Sequence, residues 1–338
     1  MSRGRTVVTG GAGLIGSAVV WALNRRGIDD ILVVDRLDGS EKWRHLVPLR
    51  FADYMDADAF ATAFEERSDA FGDVRAIVHL GACSSTTERD SGYLLRNNYE
   101  YTKRLALQSA ASGVRFVYAS SAATYGSLEE GLREDLDPHL LRPLNAYAFS
   151  KHLFDLYARR TGLLDRCCGI KYFNVFGPNE DHKENMRSMV LKAYEQIERG
   201  GSVRLFKSYR PQYGDGEQCR DFIYVKDAAE MTLHLLECGA TGLFNAGSGT
   251  ANTWLELVRP IFAALRKPER IEFIEMPPEL RGKYQYRTCA DLYRLRSTGY
   301  ERPVTPLAAA VTEYVRDYLV PGRHLDPGGA RLEASAPA

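Results

Sequence analysis

Tyr147 and Lys151 stand four residues apart, a spacing that could move a proton off an alcohol. On a helix the two share one face. A free phenol, with a pKa near ~10, is a poor base at neutral pH. A neighbouring ammonium favours the phenolate, so Lys151 is expected to lower the value for Tyr147. Tyr147 would then accept a hydroxyl proton as hydride leaves the same carbon, while Lys151 also holds a ribose. A Tyr-x-x-x-Lys pair is common by chance, so its surroundings decide its weight. Upstream, a β-rich run ends in Ser120 and Ser121. The carboxyl ends of parallel strands line ligand crevices. Ser121 is the residue expected to orient the reacting alcohol, with Ser120 as the alternative behind it.

Hydride needs an acceptor, and the N-terminal region supplies a place for one. Thr9 to Gly16 reads TGGAGLIG and joins a short strand to a helical pattern. It satisfies G-x-G-x-x-G with Gly11, Gly13 and Gly16, and G-x-x-G-x-x-G with Gly10, Gly13 and Gly16. Such glycines allow a tight turn and let backbone N–H groups approach a pyrophosphate at a helix N-terminus. Asp35 ends the next strand, nineteen residues after Gly16, where an acid can bind a ribose. The cofactor expected is therefore NAD or NADP. Asp35 favours a free 2′-hydroxyl, whereas Arg36 and Lys42 could neutralise a 2′-phosphate.

These groups need a scaffold. Runs at residues 5–9, 31–35, 76–80, 115–120 and 168–173 read as buried strands, separated by helical segments such as 15–26. That alternation predicts a Rossmann-type doubly wound parallel sheet, an α/β fold. Residues 220–225 and 242–246 read as further strands, and 227–237 as a helix. Gly, Pro and charged residues interrupt the stretch between them and residue 177, so a smaller, discontinuous α/β lobe is expected. The division expected is 1–173 plus 221–250 for the NAD(P)-binding domain and 174–220 plus 251–320 for the lobe. Residues 321–338, rich in Gly, Ala and Pro, are expected to form a disordered tail.

Composition narrows the partners. The 338 residues carry 44 basic and 44 acidic side chains. A formal charge of zero gives no support for nucleic acid or an anionic membrane as a partner. No apolar run reaches the ~18 residues of a membrane span, and the N-terminus lacks a signal-peptide core. The six cysteines form no C-x-x-C pair and have no His cluster at zinc spacing, so reduced thiols and no metal site are expected. A cytoplasmic protein meeting a small ligand fits these features.

Several longer strings add a resemblance. LVVD at 32–35, DYMD at 53–56, GACSSTTE at 81–88, YASSAATYG at 118–126, KYFNVFGP at 171–178, HK at 182–183, RDFIYV at 220–225 and RGKYQ at 281–285 span nearly the whole chain. Together with the Gly loop and the Tyr/Lys pair, they resemble the extended short-chain dehydrogenase/reductases. Within these, the match is to the ADP-heptose 6-epimerase family; residues 81–88 and 174–183 are its specific parts. The Asp-Glu pair that sugar dehydratases place after the serine is absent, with Ala122 and Ala123 instead. The resemblance implies inversion at carbon 6 of an ADP-linked heptose by transient oxidation and reduction. The cofactor implied is tightly bound NADP, with NAD possible, and the product would feed lipopolysaccharide core synthesis. It implies a homo-oligomer, often a pentamer.

The resemblance also carries residues over. Lys183 becomes a second acid/base, close to the cofactor. Leu14, Ile15, Leu80, Gly81, Ala82, Cys83, Ser84, Asn97 and Val175 become cofactor contacts. Asn174, Asn185, Lys192, Phe206, Lys207, Ser208, Tyr209, Arg220 and Tyr284 become contacts to the ADP-sugar, with the planar fork of Arg220 suited to a diphosphate. There are departures: residues 208–219 are longer than the pattern, Ala57 stands where a lysine is usual, Leu80 where an acid is usual, and Asn185 where a serine is usual. Three other readings stay open: a UDP-hexose 4-epimerase, a net NAD(P)-dependent oxidoreductase, and a binding module without catalysis.

Overall fold

The computed structural model describes residues 4–66, 73–281 and 284–328. Seven strands form one parallel sheet: β1 (Arg5–Thr9), β2 (Ile31–Asp35), β3 (Asp53–Asp56), β4 (Val74–His79), β5 (Arg115–Ser121), β6 (Cys167–Tyr172) and β10 (Gly242–Ala246). Their order is β10-β6-β5-β4-β1-β2-β3. The order reverses between β1 and β4, and the crevice outside the carboxyl ends of these strands is where α/β sheets bind ligands.

The strands are apolar on both faces because both faces are covered. In β2 and β6 every residue is buried, as a parallel sheet between two helical layers requires. Alternate side chains go to opposite layers. Val8 and Val33 pack with Val19 and Leu23 of α1 (Leu14–Arg25) and Met231 of α7 (Val225–Glu237). Their neighbours Val7, Leu32 and Val34 pack with Phe60 of α2 (Ala57–Glu65), Leu105 of α4 (Tyr101–Ser112) and Phe154 of α5 (Ala146–Arg160). A short helix, α3 (Ser91–Leu94), runs through a π-turn (Leu95–Glu100) into α4.

A smaller lobe stands over the carboxyl edge. It contains α6 (Met189–Gly200), α8 (Trp254–Leu265) and a parallel pair, β8 (Val203–Phe206) with β12 (Ile271–Ile274). A three-stranded sheet orders β11 (Ala251–Thr253), β9 (Cys219–Tyr224) and β7 (Asn174–Phe176). A capping box between Thr253 and Glu256 starts α8, satisfying two N–H groups at its open end. The strand read at 220–225 thus pairs outside the large sheet.

The tail is ordered over its first part, contrary to the expectation for 321–328. Leu325 is fully buried, its N–H donates to Asn179 Oδ1 at 3.2 Å, and the Trp21 indole donates to the Asp326 carbonyl at 3.2 Å. One apolar side chain, with backbone partners, holds a segment whose composition alone suggests none. Residues 329–338 lie outside the described residues. No helix among the described residues is long and apolar enough to cross a membrane, and all six cysteines are free thiols.

A buried histidine couples this fold to pH. His79 lies between the Thr9 and Thr102 hydroxyls, at 2.6 and 2.8 Å. Burial pushes its pKa down to about 3, whereas an unfolded histidine titrates near ~6.5. Between those values the unfolded chain binds a proton that the native chain refuses. Stability is therefore complete above pH ~6.5 and falls as pH drops toward 3, by on the order of 5 kcal/mol over the full descent. The expected result is a melting temperature that declines with acid in the native protein and less steeply in His79→Gln. Equal slopes would contradict it.

Candidate active site

The glycine loop between β1 and α1 has almost no room for side chains. Gly10 has φ of +67°, and a Cβ there would stand 2.6 Å from the Gly81 nitrogen. A Cβ on Gly16 would stand 1.9 Å from the Gly10 carbonyl oxygen. The loop is pressed against the turn after β4, which holds Leu80, Gly81 and Ala82 in place. The N-cap of α1 is Gly13, with no side-chain cap and no acid in the first turn. Its open N–H groups and positive end thus face the crevice without an internal anion. These features fit a dinucleotide pyrophosphate. Gly16→Ala is expected to weaken dinucleotide binding at least ~10-fold, or ~1.4 kcal/mol. Titration of NADP and NAD followed by calorimetry checks it, with circular dichroism to confirm folding.

Asp35 closes β2 beside the loop. Its carboxylate accepts from the N–H of Ala12 and of Arg36, each at 2.8 Å, and from Lys42 Nζ at 3.1 Å. Arg36 turns outward to Asp58, 2.6 Å away, and to the Asn97 amide oxygen. Asn97 and Arg36 therefore hold each other behind the cofactor segment rather than on the cavity wall. Cys83 is likewise off the wall, its backbone N–H and carbonyl paired with the Asn98 amide at 2.9 Å each.

The wall itself encloses a cavity of about 830 Å³. Of the residues expected to contact a dinucleotide, Gly10, Gly13, Leu14, Ile15, Gly16, Asp35, Lys42, Leu80, Gly81, Ala82 and Ser84 lie on it. Ser121, Tyr147, Lys151, Val175 and Lys183 continue it, followed by Asn174, Lys192, Phe206 and Tyr284. Residues distant in sequence thus converge on one space.

Asn145 caps α5 through Ala148 N at 2.8 Å, fixing the turn that carries Tyr147. Ser121 hydrogen-bonds the Tyr147 phenol and accepts from Ala123 N at 3.1 Å. Ser120 is committed elsewhere. Its hydroxyl donates to Asp155 at 2.7 Å, in a buried network with Tyr118 and Lys171. Lys151 donates to the Ala119 carbonyl at 2.9 Å. Burial brings its ammonium down to about 8.

The expected lowering of the phenol is not what the protein's own groups produce. Burial pushes the Tyr147 pKa up, only partly offset by the Ser121 hydrogen bond. Desolvation of a phenolate outweighs an ammonium that points at a backbone carbonyl.

Lys183 sits on the short turn Asp181–Met186. Burial lowers its pKa, partly opposed by Glu180. The chain here is strained, with φ of +75° at Asn179 and +44° at Glu184. Such residues cost ~1–3 kcal/mol each and persist only where surroundings impose them. Glu180 imposes part of this shape by accepting from the Ser188 hydroxyl at 2.6 Å. Asn179 imposes more, donating to Ser17 Oγ at 3.0 Å.

Other sequence-marked residues lie near but off the wall. Asn185 is exposed, and its carbonyl accepts from Lys192 at 2.6 Å. Lys207 pairs with Glu275 at 2.8 Å. Ser208 N donates to Asp215 at 2.7 Å, which folds the long 208–219 segment. Tyr209 lies under the Arg281 guanidinium, 4.0 Å from its ring centre. Arg220 is buried between the rings of Trp254 and Tyr284, 5.8 and 5.0 Å from their centres. Its side chain donates to the Cys219 carbonyl and makes no salt bridge to a carboxylate among the described residues. Sequence reasoning marked His182 only as part of the HK string at 182–183 and missed Arg187, Gln196, Arg204 and Trp254 on the wall. None of these four falls in a motif; the amphipathic pattern of α6 is the signal that could have found Gln196.

Comparison with known proteins agrees with this geometry. The profile of the NAD dependent epimerase/dehydratase family matches residues 6–247. The ADP-L-glycero-D-manno-heptose-6-epimerase of Nitratidesulfovibrio vulgaris (strain DP4) is 51% identical over 316 residues, covering 93% of this chain and 97% of its own. The crystal structure of the Helicobacter pylori protein of that name superposes with a TM-score of 0.78 at 23% identity, covering 93% of this chain and 96% of that one. The Thermus thermophilus UDP-glucose 4-epimerase, in complex with NAD, superposes with a TM-score of 0.72 at 29% identity, over 92% of this chain and 97% of that one. With its Rossmann sheet, glycine cradle and Tyr/Lys pair on one cavity, the chain belongs to the NAD dependent epimerase/dehydratase family.

Proposed function

We propose that the protein interconverts ADP-D-glycero-D-manno-heptose and ADP-L-glycero-D-manno-heptose by oxidising and re-reducing carbon 6. The observation that carries this reading is the meeting of two proton-exchanging side chains, Tyr147 and Lys183, from separate elements on one cavity. An epimerase must return hydride to the opposite face of a carbonyl, so the oxygen needs a proton partner in each of two orientations. The relatives named for this reaction support the choice of sugar.

Gly10, Gly13 and Gly16 would hold the pyrophosphate, Asp35 and Lys42 the adenosine ribose, and Lys151 the nicotinamide ribose. A nicotinamide dinucleotide held there would supply the uptake and return of hydride, and the positive charge of its oxidised ring would favour the Tyr147 phenolate. Tyr147 removes or returns the hydroxyl proton in one orientation, with Ser121 orienting the oxygen. Lys183, its ammonium destabilised by burial, does so in the other. Arg220, with no carboxylate partner among the described residues, binds the substrate diphosphate, and Phe206 and Tyr284 flank the base. Lys42 beside Asp35 favours NADP, held tightly through turnover. In this reading residues 1–173 with 221–250 bind the cofactor and 174–220 with 251–320 the sugar. The protein works in the cytoplasm as a homo-oligomer, supplying heptose for lipopolysaccharide core.

The test is incubation of purified protein with ADP-D-glycero-D-manno-heptose and no added nicotinamide, followed by separation of the carbon-6 epimers. A mixture of both is expected. No conversion, even with NAD or NADP added, would overturn the reading, and turnover of UDP-glucose instead would make the protein a 4-epimerase.

A further inference from the structure

The turn that carries Lys183 meets the glycine loop through a group of side chains the reaction does not use. His45 comes from the turn Glu41–Leu46 and is fully buried. Its Nδ1 lies 2.7 Å from the Ala12 carbonyl oxygen, and its Nε2 lies 2.8 Å from Oδ1 of Asp181. A carbonyl can only accept, so Nδ1 carries the proton and donates. In a neutral ring Nε2 is then a bare lone pair, aimed at a carboxylate oxygen. Two acceptors at that distance need either a second proton on the ring or a cation that both can ligate.

His182 adds a third acceptor. Its ring centre is 5.0 Å from that of His45, with the planes inclined by 68°. Its Nδ1 is buried and has no hydrogen-bond partner among the described residues. One ligand atom from each of His45, Asp181 and His182 lies within 4.8 Å of the others. A proton on His45 would answer two of these atoms and leave His182 unsatisfied, whereas a divalent ion answers all three. With metal–nitrogen bonds of ~2.0–2.1 Å, two imidazoles sharing one ion at the tetrahedral angle have ring centres roughly 5 Å apart. The Ala12 contact is also the kind that ligating histidines make: the far nitrogen donates to a backbone carbonyl, which fixes the tautomer.

We propose that His45, Asp181 and His182 form a binding site for a divalent transition metal of the zinc class, fastening the Lys183 turn to the dinucleotide loop. Two imidazoles and one carboxylate suit zinc. The Asp181 side chain is 47% exposed, which gives the ion a way in. His324, whose ring centre is 5.1 Å from that of His45, flanks the site from the C-terminal segment. The expectation of no metal looked for ligands at fixed sequence spacing, whereas His45 and Asp181 are 136 residues apart.

The experiment is calorimetric titration of zinc chloride into tag-free, chelator-stripped full-length protein, with Asp181→Asn and His182→Ala beside it. One ion per chain is expected, bound at least tenfold more weakly by each variant. Asp181 is at the surface, so its variant should fold, and circular dichroism confirms that. Cobalt(II) should give a visible d–d band in the native protein that both variants lose. No saturable binding would overturn the proposal. Equal binding by native protein and variants would also overturn it, by placing the zinc on the free thiols.

Discussion

Tyr147→Phe lowers turnover by about 10²–10⁴-fold, the scale of a lost proton transfer, and leaves the dinucleotide bound. The substitution removes one oxygen and keeps the ring, so the packing of α5 and the Asn145 cap are untouched. What is lost is the group that Ser121 hydrogen-bonds on the cavity wall. Burial alone raises that phenol, so its use as a base depends on positive charge arriving nearby. Lys151 supplies part of it while protonated, below about pH 8, and an oxidised nicotinamide ring held beside it would supply the rest. Steady-state rates and the absorbance of bound nucleotide check the result. Near-normal turnover in a folded variant would remove Tyr147 from the chemistry.

Lys183→Met retains the dinucleotide and loses inversion, again by at least ~100-fold in kcat. Methionine keeps most of the side-chain length and volume but has no exchangeable proton. The burial that lowers the Lys183 ammonium favours the apolar replacement, so the turn should survive. The split between kcat and KM separates two roles. A lysine that only binds phosphate raises KM with kcat unchanged, whereas a proton partner lowers kcat. A rise in KM alone would reassign Lys183 to substrate binding.

What was legible in the sequence was what is local. The Gly10–Gly16 turn, Asp35 and the Tyr147/Lys151 pair declare themselves because a strand, a turn and one helical face fix their relative positions within a few residues. The same holds for β2 and β6, whose unbroken apolar runs require cover on both faces. What was illegible depends on contacts between distant segments. Arg36 is drawn off to Asp58, and His45 meets Asp181 across 136 residues. Leu325 anchors a segment that composition marks as loose. In the smaller lobe β8 and β12 are four residues each and are made strands by pairing with one another. The direction of the Tyr147 shift could not be read either. Spacing gives the neighbour, Lys151, but not the burial that outweighs it or the carbonyl that holds it.

The most direct measurement follows a deuterium at carbon 6. The protein, with no added nicotinamide, is incubated in ordinary water with ADP-D-glycero-D-manno-heptose labelled at that carbon, and the L-glycero product is analysed by mass spectrometry. Product that keeps the deuterium at carbon 6 is the expected result, because the hydride leaves and returns through a dinucleotide that stays bound. Loss of the label to water, or no product at all, would contradict a bound-cofactor oxidation and reduction at this site.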